Sequence, residues 1–366
     1  MLTLRVRRLT AADDFGSVAA AWSDLAGQSA QSTPFASHDW FECCRVAAAD
    51  RSQDLLVVED SVAPVAMIPL VRWTGHVRGM PVRYLGVLDS PDSPVADLLH
   101  AGAALPVVRA LLDHVTARSD WDVLEFGRLP VGSETLKALE AELPGRLRWR
   151  RAGGDLSPYL AVDGPWTRFY ASRSQRFKKT IRNIQNRLDR LGSITVEEHH
   201  ALPPGDALFE EMIALTSRSW KADRGIAIAT MPRMREFFGE LSRRAAERGW
   251  LSVWFLRLDG RAIAMEYQLR ANGIVYALRA DYDLTFAASS PGSALNFAIA
   301  RALFDRGEVR EYQMGPGQNE YKMRWASGCH ETVRIQVYRP GLYPRLVHLT
   351  ETAVVPALRR LRGVVR

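Results

Sequence analysis

The sequence predicts a mixed α/β protein built as two successive halves, on three observations. At 366 residues it is too long for one ordinary hydrophobic core. Strand-like apolar runs alternate with segments of helical period along its length. A Gly/Pro-rich passage, GGDLSPYLAVDGPW at 153–166, interrupts that alternation near the middle. The expected organisation is therefore a domain over 1–160, a second over 161–340 and a basic helical tail over 341–366.

The first half opens on LTLRVRRL, a strand with no apolar signal-peptide core behind its arginines. Phe15, Val18, Trp22 and Leu25 then recur at helical spacing. Ser37 or Asp39 caps a helix carrying Trp40, Phe41 and Val46. DLLVVED and APVAMIPLVRW read as strands around a turn, LPVVRALLDHV as a helix and WDVLEFGRL as a buried strand. In the second half Phe177, Ile181, Ile184, Leu188 and Leu191 form one apolar stripe of a helix, with Gly192 expected at its C′ position. SITVEEH is a strand, and helices follow over DALFEEMIALTSRSW and MPRMREFFGELSRRAAERG, with KADRGIAIAT irregular between them. WLSVWFLRLDG, RAIAMEYQLRANG and IVYALRADYD are three strands whose Asp259-Gly260 and Asn272-Gly273 pairs mark tight hairpin turns. A helix over SSPGSALNFAIARALFDRG has Pro291 near its start and Gly307 at its end, before the strand VREYQMG.

Composition bounds the function. No run approaches the ~20 apolar residues that a membrane span needs. Cys43 and Cys44 are adjacent and only one further cysteine is present, which points to reduced thiols and a cytoplasmic protein rather than a disulfide framework. No spaced Cys/His set suggests a metal, and His199-His200 is a lone pair at a strand end. The net charge is +7, and the stretch from Arg168 to Arg190 holds eight basic residues against Asp189, a net equal to the whole excess. Such a concentration suits phosphates, a nucleotide-bearing substrate, tRNA or a lipid headgroup, or else is a solvated helix face. With Phe177 on the apolar stripe and no DNA-binding motif present, DNA is not expected as a partner. The basic, apolar VPALRRLRGVVR at the C-terminus is a docking helix or a weak membrane contact.

The strand IVYALRADYD feeds through a short loop into a helix beginning at Ser290, Pro291, Gly292 and Ser293. A helix start offers unpaired amides and the positive dipole end, so these four residues are the cofactor-binding candidates for a phosphate or carboxylate, or else Ser-Pro is simply the cap of the helix. Alternation along AIAMEYQL sets Ala264, Glu266 and Gln268 on one face, toward a cleft or toward solvent. Asp281 lies at the strand end before the anion loop, placed to orient or deprotonate an acceptor, or to serve as a turn residue. Trp220 beside Arg224 suits a sugar or nucleotide-linked acceptor, or places Trp220 in the core.

These elements, together with Gly317 leading to Tyr321-Lys322, resemble the acetyltransferase-like family of bacterial cellulose and exopolysaccharide loci, in the GNAT superfamily and related to the Fem peptidyltransferases. The resemblance runs through Trp22, Leu25 and Pro34-Phe35 to Trp40 in the first half. In the second it takes in the basic helix ending at Leu188, Trp220 with Arg224-Gly225, Asp259-Gly260, Tyr276, Asp281-Tyr282-Asp283, Ser290-Pro291-Gly292 with Leu295, and Gly307. It implies two tandem GNAT-like domains, each a mixed, largely antiparallel sheet flanked by helices. It implies an acyltransferase with Lys322 at its active site, stabilising the oxyanion; Asp281 and Glu266 are further catalytic candidates on their positions alone. Trp220, Arg224, Arg279, Tyr321 and Arg182 are the substrate-binding candidates. The pyrophosphate loop of such enzymes, Gln/Arg-x-x-Gly-x-Gly/Ala, is only echoed by Gly292 and Ala294 here. The expected donor is thus acyl-CoA, an acyl carrier protein or aminoacyl-tRNA, with no tightly bound cofactor. The expected acceptor is an amine or hydroxyl of a sugar, peptide or lipid-linked molecule. The alternative is a non-catalytic protein binding nucleic acid or another anion on a degenerate scaffold.

Overall fold

The computed structural model describes residues 4–10, 12–29 and 33–354. The chain forms two compact units, one of residues 1–90, 95–155 and 331–366, the other of 91–94 and 156–330. They are thus drawn from interleaved stretches of the sequence rather than from consecutive ones.

The first unit contains β1 (Arg5–Thr10), α1 (Ala19–Gln28), α2 (His38–Ala47), β2 (Gln53–Glu59), β3 (Pro64–Val77), β4 (Met80–Val87), β5 (Leu99–His100), α3 (Ala104–Thr116), β6 (Val123–Pro130), α4 (Glu134–Glu142) and β7 (Arg148–Ala152). Neighbouring strands pair antiparallel, except that β4 and β6 run parallel. The core follows from the pattern read in the sequence. Leu55 to Val58 of β2 are fully buried, and Val107, Val108, Leu111, Leu112 and Val115 of α3 pack with Trp121 and Phe126. Phe15, Val18, Trp22 and Leu25 are buried as their spacing predicts, and the Ser37 hydroxyl caps α2 through the Trp40 amide.

The second unit contains β8 (Leu156–Ala161), α5 (Trp166–Ser172), α6 (Gln175–Asp189), β9 (Ile194–His199), α7 (Ala207–Ser217), α8 (Trp220–Asp223), α9 (Met234–Glu247), β10 (Leu251–Leu258), β11 (Arg261–Ala271), β12 (Ile274–Tyr282), α10 (Pro291–Arg306), β13 (Glu311–Gln313) and the one-turn α11 (Glu320–Met323). β14 (Gly328–Tyr338), whose residues from Glu331 on fall in the first unit, and α12 (Leu342–Leu349) follow. Antiparallel pairing joins β9, β10, β11 and β12, then β12 meets β13 in parallel and β13 meets β8 antiparallel. Each unit is thus a mixed, mostly antiparallel sheet flanked by helices.

Three local expectations need correction. Leu191 does not extend the apolar stripe of α6, because the helix ends at Asp189 and leaves Leu191 48% exposed. Gly192 does not serve as the C′ residue. A side chain there would collide with the Asp259 carboxylate, which accepts the Ser193 amide at 2.8 Å, so close approach is what requires the glycine. The helix expected to run through Trp220 stops at Ser217, and Ser219 caps α8 instead. Among the described residues no helix is long and apolar enough to cross a membrane, and no group of His, Cys, Asp or Glu is placed to hold a metal. The VPALRRLRGVVR segment lies outside the described residues.

Candidate active site

The site begins with an irregularity in the second unit's sheet. Tyr267 pairs with Arg279 but Gln268 with Ala277, so Leu278 is an extra residue bulged out of β12. A bulge re-aims the residues that follow it, here Arg279 and Asp281. The parallel partner β13 covers only Ile274 to Tyr276. Beyond that, Met314 and Gly317 donate their amides to Pro158 and Leu156, so the chain leaves β12 and follows β8. Gly315 makes the departure possible. Its φ is +73°, and an added Cβ would come 2.9 Å from the Ala277 carbonyl oxygen.

Lys322, on α11, folds back against this turn. Its Nζ donates to the carbonyl oxygens of Gly315 at 3.0 Å and Pro316 at 2.9 Å. The residue is only 8% exposed, and burial pushes its ammonium down to about 8 against the pull of Glu266, with Lys221 adding to the fall. An ammonium carries three donors, so two carbonyl bonds leave one N–H for an incoming oxygen.

Glu266 belongs to a buried network. The sequence leaves its face open between cleft and solvent, and the structure settles it: Glu266 is 5% exposed. Its Oε1 accepts the Tyr312 hydroxyl at 2.5 Å and the Gln268 amide at 2.7 Å. Asn296 of α10 donates to the same Tyr312 oxygen at 3.0 Å. Burial raises the Glu266 carboxyl, opposed by those two hydrogen bonds and by the charges of Lys322 and Lys221.

Asp281 is also buried. Its Oδ2 accepts from Arg279 Nε at 2.9 Å and from Lys221 Nζ at 3.3 Å, while its Oδ1 has no partner among the described residues. Lys221 further donates to the Ala280 carbonyl at 2.7 Å, and Arg279 to that of Ile226 at 2.5 Å. These two cations fasten α8 and the segment after it to the end of β12. Burial lowers the Lys221 ammonium, opposed first by Asp281. Tyr321 presents an exposed edge, and its phenol is raised by burial and by the charges of Glu266, Asp281 and Tyr282.

The remaining predicted residues fall around this group. A Cβ on Gly292 would meet only Tyr282 Cδ1, at 3.5 Å, so neither crowding nor φ demands glycine there. Ser290 caps α10 from a left-handed conformation, φ +54°, with no side-chain cap bond; Pro291 is the first residue of the helix and Ser293 is half-buried in its first turn. Trp220 is half-buried rather than core, with the exposed Arg224 guanidinium 4.8 Å from its ring centre. Among the described residues no hydrogen bond or ion pair joins the exposed Arg182 to this group. The structure thus brings together Lys322, Glu266, Asp281, Arg279 and Tyr321 with Gln268 on the face of Glu266, and adds Lys221, Tyr312 and Asn296, which the sequence does not single out. In sequence Lys221 differs from any surface lysine only by following Trp220.

Residues 175–323 match the model of a family described as an acetyltransferase (GNAT) domain. No curated protein matches the sequence. Solved structures resemble the chain along nearly its whole length. FemX is 11% identical, with 90% of this chain and 98% of that one covered at a TM-score of 0.58. A tandem GNAT protein from the clavulanic acid biosynthesis pathway is 14% identical, over 93% and 100% of the two chains, at 0.53. The C-terminal domain of a putative lysylphosphatidylglycerol synthetase from Agrobacterium fabrum is 12% identical, over 93% and 96%, at 0.54. At these identities the likeness is one of fold, a tandem GNAT fold, and it agrees with the GNAT domain found in the second half.

Proposed function

We propose that this chain, a GNAT-like acyltransferase whose residues 175–323 match the GNAT domain family, moves an acyl or aminoacyl group from an activated donor to an amine or hydroxyl. The observation that carries this reading is Lys322: a buried ammonium with two N–H groups committed to carbonyls and one left over, beside the gap where β13 parts from β12.

Attack of the acceptor's lone pair on the donor's carbonyl carbon places negative charge on the carbonyl oxygen. The free N–H of Lys322, fixed in advance by Gly315 and Pro316, stabilises that charge. The acceptor's proton passes to Asp281 Oδ1, which has no other hydrogen bond to give up. Collapse of the intermediate breaks the bond to the donor's sulfur or oxygen, and the proton held by Asp281 passes to that atom, so the donor leaves as a thiol or alcohol and Asp281 is again a carboxylate. Arg279 and Lys221 hold Asp281 in place. Glu266, bonded to Tyr312 and Gln268, balances the charge of Lys322 from within the sheet. Coenzyme A, a carrier protein or tRNA delivers the group as co-substrate, with the start of α10 at Ser290–Ser293 facing its phosphates. The acceptor is a sugar, peptide or lipid-linked molecule, met by Trp220, Arg224 and Tyr321.

The test is transfer of a radiolabelled group from acetyl-CoA and from aminoacyl-tRNA to a panel of amine and hydroxyl acceptors, by the wild-type chain and by Lys322→Ala. Transfer by the wild type and its loss in the variant support the reading. Equal transfer by both overturns it.

A further inference from the structure

The geometry points to a second anion site in the same unit, at the start of α6, built to hold the phosphate of a small phosphorylated ligand. A cavity of about 410 Å³ opens there, lined by Arg173, Ser174, Arg176 and Thr180 on one side and by Glu320 and Arg324 on the other. The charge arrangement is the reverse of what a helix start ordinarily carries. Helix N-termini favour acids, yet the first turn of α6 has none, and Arg173 and Arg176 flank the Ser174 cap. Arg324 adds a third guanidinium from the opposite wall. Two of these cations lack the usual compensation. Among the described residues the Arg176 guanidinium makes no hydrogen bond or ion pair and acts only at longer range on Glu320, and the Arg173 guanidinium bonds only the Ser172 hydroxyl while lying 4.6 Å over the Phe169 ring. Glu320 alone opposes the three, through its ion pair with Arg324.

Three guanidiniums converging on the positive end of a 15-residue helix repel one another and the dipole. A phosphate removes both costs at once. Its oxygens accept from the guanidinium forks, from the Ser174 hydroxyl and from the open amides of the first turn. The cavity is larger than a phosphate and wide enough for the sugar or base attached to it. Phe177, on its floor, is buried in the core, so recognition rests on charge rather than on base stacking. The position bears on substrate delivery, because Arg324 lies two residues beyond Lys322, on the turn that carries it. The inference does not rest on the transferase reading: it is decided by binding, with no turnover required.

The experiment is calorimetric titration of the full chain with inorganic pyrophosphate at fixed ionic strength. Wild type is compared with Arg176→Gln, with Arg324→Gln, and with Arg190→Gln, which removes the same charge from the far end of α6. The first two variants should weaken binding at least about tenfold. Arg190→Gln, acting only through screened long-range charge, should change it less than about twofold. Adenosine 3′,5′-bisphosphate and a nucleoside 5′-diphosphate then distinguish the source of the phosphate, a coenzyme or a nucleotide-linked sugar. Binding of either that falls with Arg176→Gln supports the site and names its ligand class. Equal losses in all three variants would show diffuse charge and overturn it. So would the absence of pyrophosphate binding, or an RNA hairpin bound more tightly and indifferent to Arg176→Gln.

Discussion

The hydroxyl of Tyr312 donates to the carboxylate of Glu266 at 2.5 Å, with both side chains buried inside the second unit's sheet. A buried carboxylate is tolerated only while its oxygens are bonded. Tyr312→Phe removes the shorter of the two donors to Oε1 and leaves Gln268. A fall of about 1–3 kcal/mol in unfolding free energy is expected, read as a lower urea midpoint at unchanged slope. Adding Glu266→Gln to Tyr312→Phe should cost less than the two single losses combined, since the partners share one interaction. An unchanged midpoint in Tyr312→Phe would mean that the bond contributes nothing.

Lys322→Ala should reduce transfer by about a hundred- to a thousandfold, the loss typical of one oxyanion donor. The lysine is buried but anchored only to the Gly315 and Pro316 carbonyls, so the melting temperature should move by only a few degrees. Lys322→Arg keeps the charge but cannot reproduce the geometry of a compact ammonium, and should recover only part of the rate. Activity within about threefold of wild type in the alanine variant would remove Lys322 from the mechanism, since any real donor is worth more.

The lowered value of Lys322 sets a pH limb. Transfer needs the ammonium, whose folded-state value is about 8, so the rate should be flat below that pH and fall about tenfold per unit above it. The stability consequence has the opposite sense. Between about 8 and the ordinary 10.5 the unfolded chain holds the proton and the folded one does not. Stability from this group therefore increases as pH rises through that window. Rate profiles and denaturation midpoints from pH 6 to 10 check both, and Lys322→Ala should flatten the second.

Local rules carried the parts of this fold that are local. The Asp259-Gly260 and Asn272-Gly273 turns were legible because both residues of each pair take positive φ, 48° and 83° in the first and 53° and 72° in the second. Of the two cap candidates Ser37 and Asp39, Ser37 accepts the amide three residues on. The site was legible only in part. Lys322 stood out only through the family resemblance carried by Tyr321-Lys322, and its burial depends on the way β13 leaves β12, which no window of sequence records. Lys221 reaches Asp281 across 60 positions, and Tyr312 reaches Glu266 across 46. Contacts at that separation are made by the sheet, so the pattern around each residue holds no trace of its partner.

Asp281 and Asp283 flank one tyrosine and should behave as different kinds of residue. Asp283 is fully buried and fully bonded: its carboxylate accepts from Arg218 at 2.8 Å, from Arg261 at 2.6 Å, and from the amide and hydroxyl of Thr285 at 3.0 and 2.7 Å. Burial works to raise its carboxyl, but the bonds from Thr285, Arg261 and Arg218 prevail and hold it below 3.8. Its contribution to stability is therefore present above that pH and is lost as pH falls through the lowered value. Asp283→Asn leaves two arginines without their counter-charge and should cost about 2–3 kcal/mol while flattening the acid limb of the unfolding curve. Asp281 keeps one oxygen without a partner in spite of complete burial, which is costly for folding and useful only to a ligand. Asp281→Asn, of the same shape, also leaves two cations, Arg279 and Lys221, without this counter-charge, so the melting temperature should fall comparably, but the transfer rate of the folded protein should fall as well, by about 10²–10⁴. Thermal unfolding and turnover on the same preparations separate the two aspartates. A folded, fully active Asp281→Asn would reassign the proton acceptor, and a transfer rate that falls no further than in Asp283→Asn would make Asp281 a second structural anchor.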